Sequence, residues 1–174
     1  MPEGPECRYI ANSLQKHLQN KVIQNIVIHS GRYQRHGPPI GFTECQFQGT
    51  AIEKIQVHGK LIFWKFSNDW YLLNTLGMSG QWLIKDTGEK HDHIEIICDD
   101  GTRVWYRDVR NFGTLRFVRQ PTLDKAISGL GHDILGETEI SREEWNTLVQ
   151  KNKKNDCKRE ILLYILYKFV TSFV

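Results

Sequence analysis

The strongest constraint on the fold is a series of short β-rich runs between residues 21 and 120, each separated from the next by polar turn residues. Apolar and polar side chains alternate within these runs, as they do in strands that bury one face. The predicted strands are residues 22–29, 44–47, 52–57, 61–66, 70–75, 81–85, 93–98, 103–106 and 113–118. Residues 67–69 and 99–101 have the composition of hairpin turns. Such a ladder predicts a two-layer β-sandwich or flattened barrel.

Helical patterns flank this ladder on both sides. Ile10, Leu14 and Leu18 recur at helical spacing and predict an N-terminal helix over residues 6–20. The later predictions are a short helix at 122–130, a helix from Ser141 to about 150, a basic connector at 151–155 and a final helix from 156. The fold class is therefore mainly β with helices (α+β), with a domain at 1–130 and an incomplete helical segment at 131–174.

Composition limits the environment of the chain. Of its 174 residues 40% are hydrophobic and 25% charged, which is typical of a globular protein. The formal net charge of +3 permits a polyanionic partner without requiring one. The four cysteines are far apart, which favours free thiols in a reducing compartment. We expect an intracellular protein, because the acidic start is no signal peptide and the apolar residues 161–174 are too few to span a membrane.

The first residues can supply an unusual nucleophile. A small residue at position 2 usually permits removal of Met1, which would leave Pro2 with a free secondary amine. A terminal amine has an ordinary pKa near ~8, so a useful fraction is unprotonated at neutral pH. Such an amine can attack an aldehyde-like carbon and form an iminium, while Glu3 and Glu6 can move protons beside it. Proline and glutamate also suit a helix start, so these residues alone leave a structural role open.

Five segments together carry a resemblance to a known family. They are MPEGPE at 1–6, VHGK at 57–60, LGMSG at 76–80, KHDH at 90–93 and DVRNFG at 108–113. In this order they resemble the Fpg/Nei family, the formamidopyrimidine-DNA glycosylases and endonuclease VIII enzymes of base-excision repair. Val109 and Asn111 depart from the family's DPRRFG pattern. MPEGPE leans towards endonuclease VIII, whereas LGMSG and KHDH lean towards the formamidopyrimidine-DNA glycosylases, so preference between oxidised purines and pyrimidines stays open.

The resemblance implies a bifunctional DNA glycosylase and AP lyase that removes oxidised bases. In that role Pro2 is the Schiff-base nucleophile at the sugar C1′, and Glu3 donates and accepts protons during base release. Glu6 supports the site. Lys60 contacts the phosphate beside the lesion and donates a proton during β-elimination. The implied partner is damaged double-stranded DNA, so the protein is expected wherever DNA lies in the cell.

The resemblance also implies a set of DNA-contacting residues. Met78, Arg110 and Phe112 fill the gap that an everted nucleotide leaves, and His91, Arg110 and Lys153 contact DNA. The physical reason is that a base inside a duplex is unreachable until it is flipped out, at a cost of about a few kcal/mol. Apolar side chains that occupy the void offset part of this cost. Arginine can offer forked donors to the orphaned base.

Without the resemblance, the same residues have ordinary structural interpretations. Met78 and Phe112 would belong to the core, as such side chains usually do. Lys60 would be a routine surface lysine, and Arg110 would form a weak surface ion pair with Asp108.

The segment KHDH also raises the possibility of a metal site. His91 and His93 share one face of a strand, with Asp92 between them. Two ligands do not make a site, and we expect no metal. No organic cofactor is expected either, because the amine, the carboxyl group and the DNA sugar supply the chemistry.

The resemblance covers residues 1–135, and loosely 151–163. The family's helix–two-turn–helix module and its finger have no counterpart in the sequence, and residues 164–174 depart from the family pattern. The alternative function is therefore a catalytically impaired, truncated remnant that binds DNA weakly or not at all. An interaction domain unrelated to DNA would require the five ordered segments to coincide by chance.

Overall fold

The computed structural model describes residues 2–85, 88–133, 135, 136, 141 and 143. Apart from Ser141 and Glu143, the helix predicted from 141 lies outside the described residues, as do the helix predicted from 156, the connector at 151–155 and Lys153. Contacts divide the chain into a unit at Met1–Gly131 and another at His132–Val174. All the elements below belong to the first unit. No helix in the described part is long and apolar enough to cross a membrane.

Three helices and eight strands make up the described residues of this unit. In chain order they are α1 (Gly4–Leu18), β1 (Ile23–Ile28), α2 (Arg32–Arg35), β2 (Ile52–His58), β3 (Leu61–Phe66), β4 (Trp70–Thr75), β5 (Gly80–Leu83), β6 (Asp92–Cys98), β7 (Arg103–Asp108), β8 (Thr114–Arg119) and α3 (Gln120–Ser128). The strands form two antiparallel sheets, ordered β1-β6-β7-β5 and β2-β3-β4-β8. The predicted α+β class with two β layers is confirmed.

The core lies between the two sheets and follows from their alternating side chains. Strand β3 buries every second residue, including Ile62 and Trp64, against inward residues of the other sheet such as Ile96. Trp64 packs on Trp82 of β5 with ring centroids 4.9 Å apart. The indole N–H of Trp82 donates to the Oδ1 atom of the fully buried Asn74 at 2.9 Å. This contact satisfies two polar groups that would otherwise be costly in the core.

Two helices cover the sandwich. Helix α1 packs against β2 and β3 through an apolar face of Cys7, Ala11, Leu14 and Leu18. Helix α3 covers the outer face of the second sheet, where Leu123 packs in a cluster with Tyr71, Leu73 and Val118. The helical spacing of its apolar residues therefore determines which face of α1, including its first turn, packs against the sheet.

The predicted strand at 44–47 is wrong. Cys45 and Phe47 are buried as their pattern indicates, but Gln46 has a φ of 45°, in the left-handed region, which interrupts an extended backbone. The stretch is a turn that packs into the core. The sequence also did not predict α2, because four residues are too short for a helical period. The other predicted strands and the helices at 6–20 and 122–130 are present with boundaries shifted by a few residues.

The chain passes between the sheets twice at the same end of the sandwich. Residues 76–79, the first crossing, lead from β4 to β5, and residues 109–113, the second crossing, lead from β7 to β8. Pairing of Thr75 with Thr114, and of Gly80 with Asp108, aligns the ends of the two crossings. The β2–β3 turn reaches the same end, because Leu61 pairs with Thr75. The strand register therefore places the β2–β3 turn and both crossings, with their motif residues, at the same end of the sandwich.

The three described cysteines provide a test of the core. Cys7, Cys45 and Cys98 are buried and free, and burial raises the pKa of each thiol from 9.0 to about 11. Because the thiolate is the reactive form, native protein at pH 8 should leave these three thiols unmodified by iodoacetamide. Peptide mapping by mass spectrometry checks this, with full modification in urea as the control. Rapid native modification at Cys7 would contradict the packing of α1.

The same shift gives a pH dependence. A thiol whose folded pKa is raised stabilises the fold fully below its unfolded pKa, and that contribution is lost as pH rises through the folded value. The urea concentration at which half of the protein is unfolded should therefore decrease as the pH rises from 9 to about 11.

Candidate active site

The first turn of α1 brings two carboxylates and a lysine together. Glu3 precedes the helix and forms a reciprocal capping box with Glu6, whose Oε2 atom accepts the Glu3 N–H at 2.6 Å. Lys60 lies in the two-residue turn between β2 and β3 and forms an ion pair with the Glu3 carboxylate. Both side chains of the pair are about half exposed. Lys60 is therefore part of a local cluster rather than an isolated surface lysine.

An open groove of about 730 Å³ runs beside this cluster. Its lining residues are Pro2, Pro5, Glu6, Tyr9, Ile10, Met78, Ser79, Gly80, Gln81 and Val109. The groove thus joins the start of α1 to both crossings. Sequence reasoning missed Tyr9 and Gln81, although Tyr9 lies three residues after Glu6, a spacing that places both on one helix face.

Three of the residues predicted to contact DNA lie on the crossings and are exposed to solvent. Met78 is 44% exposed and Phe112 59% exposed, so neither belongs to the core. Arg110 is exposed, and its Nη1 atom lies 3.3 Å from the Sδ atom of Met78. Large apolar side chains exposed together at a loop end are typical of a surface that contacts a partner. We call Met78, Arg110 and Phe112 the wedge.

The surface pair between Arg110 and Asp108, which was the alternative interpretation of Arg110, does not form. Asp108 is buried, and its carboxylate accepts the Ser79 hydroxyl at 2.5 Å and the Gly113 N–H at 2.7 Å. The physical reason is that Asp108 ends β7 with its side chain buried against Ser79 and Gly113, whereas the exposed Arg110 side chain extends to Met78. The Arg110 guanidinium is left to face outward beside Met78.

The two histidines of KHDH have different environments. His93 is buried, and both ring nitrogens have protein partners: Nδ1 lies 2.7 Å from the Ser30 Oγ atom, and Nε2 lies 2.9 Å from the Asp108 carbonyl oxygen. His91 is half-buried, with its ring centroid 6.0 Å from that of His93. His93 is therefore a structural residue, while His91 has an accessible ring at the same end of the sandwich.

Asn111, which departs from the family motif, has a local structural role. Its φ of 56° is left-handed, a conformation that asparagine tolerates better than most residues. Its Oδ1 atom accepts the Arg32 N–H at 3.2 Å, which links the second crossing to the start of α2. An arginine at this position has no acceptor to offer that N–H.

The sequence matches a known protein family. Residues 1–115 match the model of the formamidopyrimidine-DNA glycosylase N-terminal domain. A formamidopyrimidine-DNA glycosylase from Lactobacillus johnsonii is 31% identical over 162 residues, which cover 89% of this chain and 57% of the relative. Another, from Wolbachia pipientis, is 28% identical over 165 residues, which cover 93% of this chain and 59% of the relative.

Solved structures show the same fold. Lactococcus lactis Fpg (MutM) in complex with a N7-benzyl-Fapy-dG containing DNA is 25% identical, with a TM-score of 0.64 over 74% of this chain and 48% of that one. MutM in complex with carbocyclic 8-oxo-G containing DNA has the same identity, TM-score and coverage.

The family model matches 115 of the 174 residues. The chain therefore belongs to the formamidopyrimidine-DNA glycosylase family, and the Fpg/Nei resemblance of the five motifs is confirmed. The chain spans less than three fifths of the length of the two curated relatives, 57% and 59%.

The close packing of the crossings predicts an unequal response at two glycines. Gly77 and Gly59 both have left-handed φ values, 61° and 58°. A methyl group at Gly77 would lie 2.6 Å from the Gly113 nitrogen, whereas nothing lies within 4 Å of one at Gly59. Gly77→Ala should lower the free energy of unfolding by about 2–4 kcal/mol, and Gly59→Ala by about 1 kcal/mol. Urea unfolding measures both, and equal losses would contradict the contact between the crossings.

Proposed function

We propose that this chain carries the N-terminal catalytic domain of a DNA glycosylase and AP lyase of base-excision repair, with residues 1–130 as that domain and 131–174 as the start of a helical one. The observation that carries the proposal is the groove that joins Pro2 and Glu6 to Met78. An enzyme that acts on a base must first take it out of the stack, so a nucleophile, proton-transfer groups and a void-filling side chain together suit removal of a base from a duplex. The proposed partner is damaged double-stranded DNA.

In the first step the duplex is opened. The wedge enters the stack while the lesion nucleotide turns out into the groove, and Met78 and Phe112 replace its stacking contacts. Arg110 offers its donors to the base left without a partner. Lys60 and His91 contact the DNA backbone from the same end of the sandwich, and Lys153 is proposed to add a contact from outside the described residues. Lysine suits this role as a compact charge for phosphate.

In the second step the Pro2 nitrogen attacks C1′ of the lesion sugar. The new N–C1′ bond forms as the glycosidic bond breaks, and the departing base keeps the electron pair of the glycosidic bond and takes a proton from water. Glu3 accepts the proton that the amine loses, then donates it to O4′ as the sugar ring opens and the iminium forms. Glu6 holds Glu3 in place through their reciprocal hydrogen bonds.

In the third step the iminium acts as an electron sink. A C2′ proton passes to water, and the electron pair it leaves forms the C2′–C3′ double bond as the C3′–O bond breaks. The expelled 3′ phosphate takes a proton from Lys60, which regains one from solvent. Water then hydrolyses the iminium and regenerates the amine. In the free protein Lys60 pairs with Glu3, so a phosphate entering the groove competes with Glu3 for the same ammonium group.

Borohydride trapping tests the chemistry. With duplex DNA containing an oxidised base, the protein should form a covalent adduct, and Pro2→Gly should reduce its yield at least about tenfold. Glu3→Gln should slow it about 100-fold or more, because a general acid–base group is lost. Glu53→Gln is the matched control, since Glu53 forms an exposed ion pair with Lys65 in the same sheet at 2.8 Å.

The outcomes separate the two candidate functions. An adduct that forms with the wild-type protein and Glu53→Gln but not with Glu3→Gln supports the enzyme. The alternative, an impaired remnant, gives no adduct and weak or undetectable, lesion-independent binding. Binding that weakens steeply with salt but yields no adduct would limit the chain to DNA contact.

A further inference from the structure

The proposed chemistry gives no role to Asp108, one of several buried charged residues. The side chain of Asp108 is fully buried, with the residue 1% exposed, yet it does not line the groove beside Pro2. Burying a carboxylate is costly unless strong donors compensate it. Here both oxygens are used: Oδ1 accepts the Ser79 hydroxyl and Oδ2 accepts the Gly113 N–H. The donors come from two different segments, so the charge binds those segments to each other.

Ser79 extends this connection. Its hydroxyl donates to Asp108 at 2.5 Å, and the same oxygen accepts the Arg110 N–H at 2.9 Å. One serine and one carboxylate therefore hold the first crossing to both ends of the second, at Arg110 and at Gly113.

The space around this connection is filled. The hydroxyl of Tyr106 lies between the two crossings, where a methyl group at Gly113 would lie 1.8 Å from it and one at Gly80 would lie 2.4 Å from it. Behind the second crossing, the His93 ring contacts the Asp108 carbonyl oxygen. The crossings thus have little freedom to slide against each other.

We infer that Asp108 and Ser79 are positioning residues that hold Met78, Arg110 and Phe112 as one rigid wedge and so set how readily the protein opens a duplex. Met78 comes directly before Ser79, and Arg110 and Phe112 lie between Asp108 and Gly113. A group preset in its working geometry avoids the ordering cost when it enters the stack. The inference rests on the proposed function and adds to it the residues that govern base eversion.

A positioning role predicts a split between two substrates. In a duplex the wedge must fill the void of an everted nucleotide, whereas a single strand with an abasic site has no void to fill. The attack of Pro2 on the sugar is common to both. Loosening the wedge should therefore slow adduct formation on the duplex and leave the single strand almost unchanged. General unfolding would slow both.

The experiment compares borohydride trapping rates on an abasic oligonucleotide, alone and paired with its complement. Ser79→Ala should slow the duplex reaction about tenfold or more and the single-strand reaction by less than about twofold. Asp108→Asn should give a larger split, since its amide turns one acceptor oxygen into a donor. The fluorescence of 2-aminopurine placed opposite the abasic site changes when the wedge enters the stack. The rate of this change should decrease in the variants in proportion to the duplex trapping rate.

Matched variants control for burial and hydrogen bonding elsewhere. Glu95→Gln alters another buried carboxylate, which accepts from Arg103 and lies 2.8 Å from the His29 ring. Ser67→Ala removes another serine oxygen that accepts a backbone N–H, that of Ala51 at 3.0 Å. Both should keep the wild-type ratio of duplex to single-strand rates.

The results distinguish the inference from the proposed function. Equal slowing on both substrates, or an unchanged ratio in Ser79→Ala, would overturn the inference while leaving the enzyme in place. No wild-type adduct on either substrate would overturn the proposed function and the inference with it. If Asp108→Asn does not fold, Ser79→Ala decides alone, because its side chain is only partly buried.

Discussion

The site depends on how tightly the two sheets are joined where the chain crosses between them. Asn74 lies near the end of β4, shortly before the first crossing. The indole N–H of Trp82, in β5 shortly after that crossing, donates to Asn74 from the other sheet. The Asn74 amide also donates to the Thr114 carbonyl oxygen, at the start of the strand that follows the second crossing. One buried amide therefore connects three strands at the base of both crossings, and the crossings can present the wedge side chains from a fixed platform.

Rigid support and reactive chemistry are thus separated in this molecule. The carboxylate of Asp108 is buried and accepts hydrogen bonds from a serine hydroxyl and a backbone N–H. The carboxylates of Glu3 and Glu6 remain beside an open groove, where they can exchange protons. Lys60 lies on a hairpin turn of the second sheet, so the register of β3 against β4 also brings it to the site. The buried carboxylate therefore stabilises the fold, whereas the carboxylates beside the groove are free to exchange protons.

Much of the fold and the site could be predicted from the sequence because both have local signatures. Alternation predicts β3 over 61–66, where the structure has Leu61–Phe66. Short motifs also contain most of the residues that line the groove, although not Tyr9 and Gln81. The role of Asp108 could not be predicted, because a charged residue in a loop motif ordinarily indicates a surface, and its partner Ser79 is 29 residues away. The turn at 44–47 was mistaken for a strand because burial of Cys45 and Phe47 produces alternation without an extended backbone.

The central claim is that the amine of Pro2 forms the covalent bond to the sugar. Tandem mass spectrometry of the adduct formed with abasic DNA, after borohydride reduction and digestion of protein and DNA, tests it most directly. The account predicts an N-terminal peptide that begins at Pro2, lacks Met1 and carries the reduced sugar on its first nitrogen. An adduct on a lysine such as Lys60, or a mature protein that retains Met1, would contradict it.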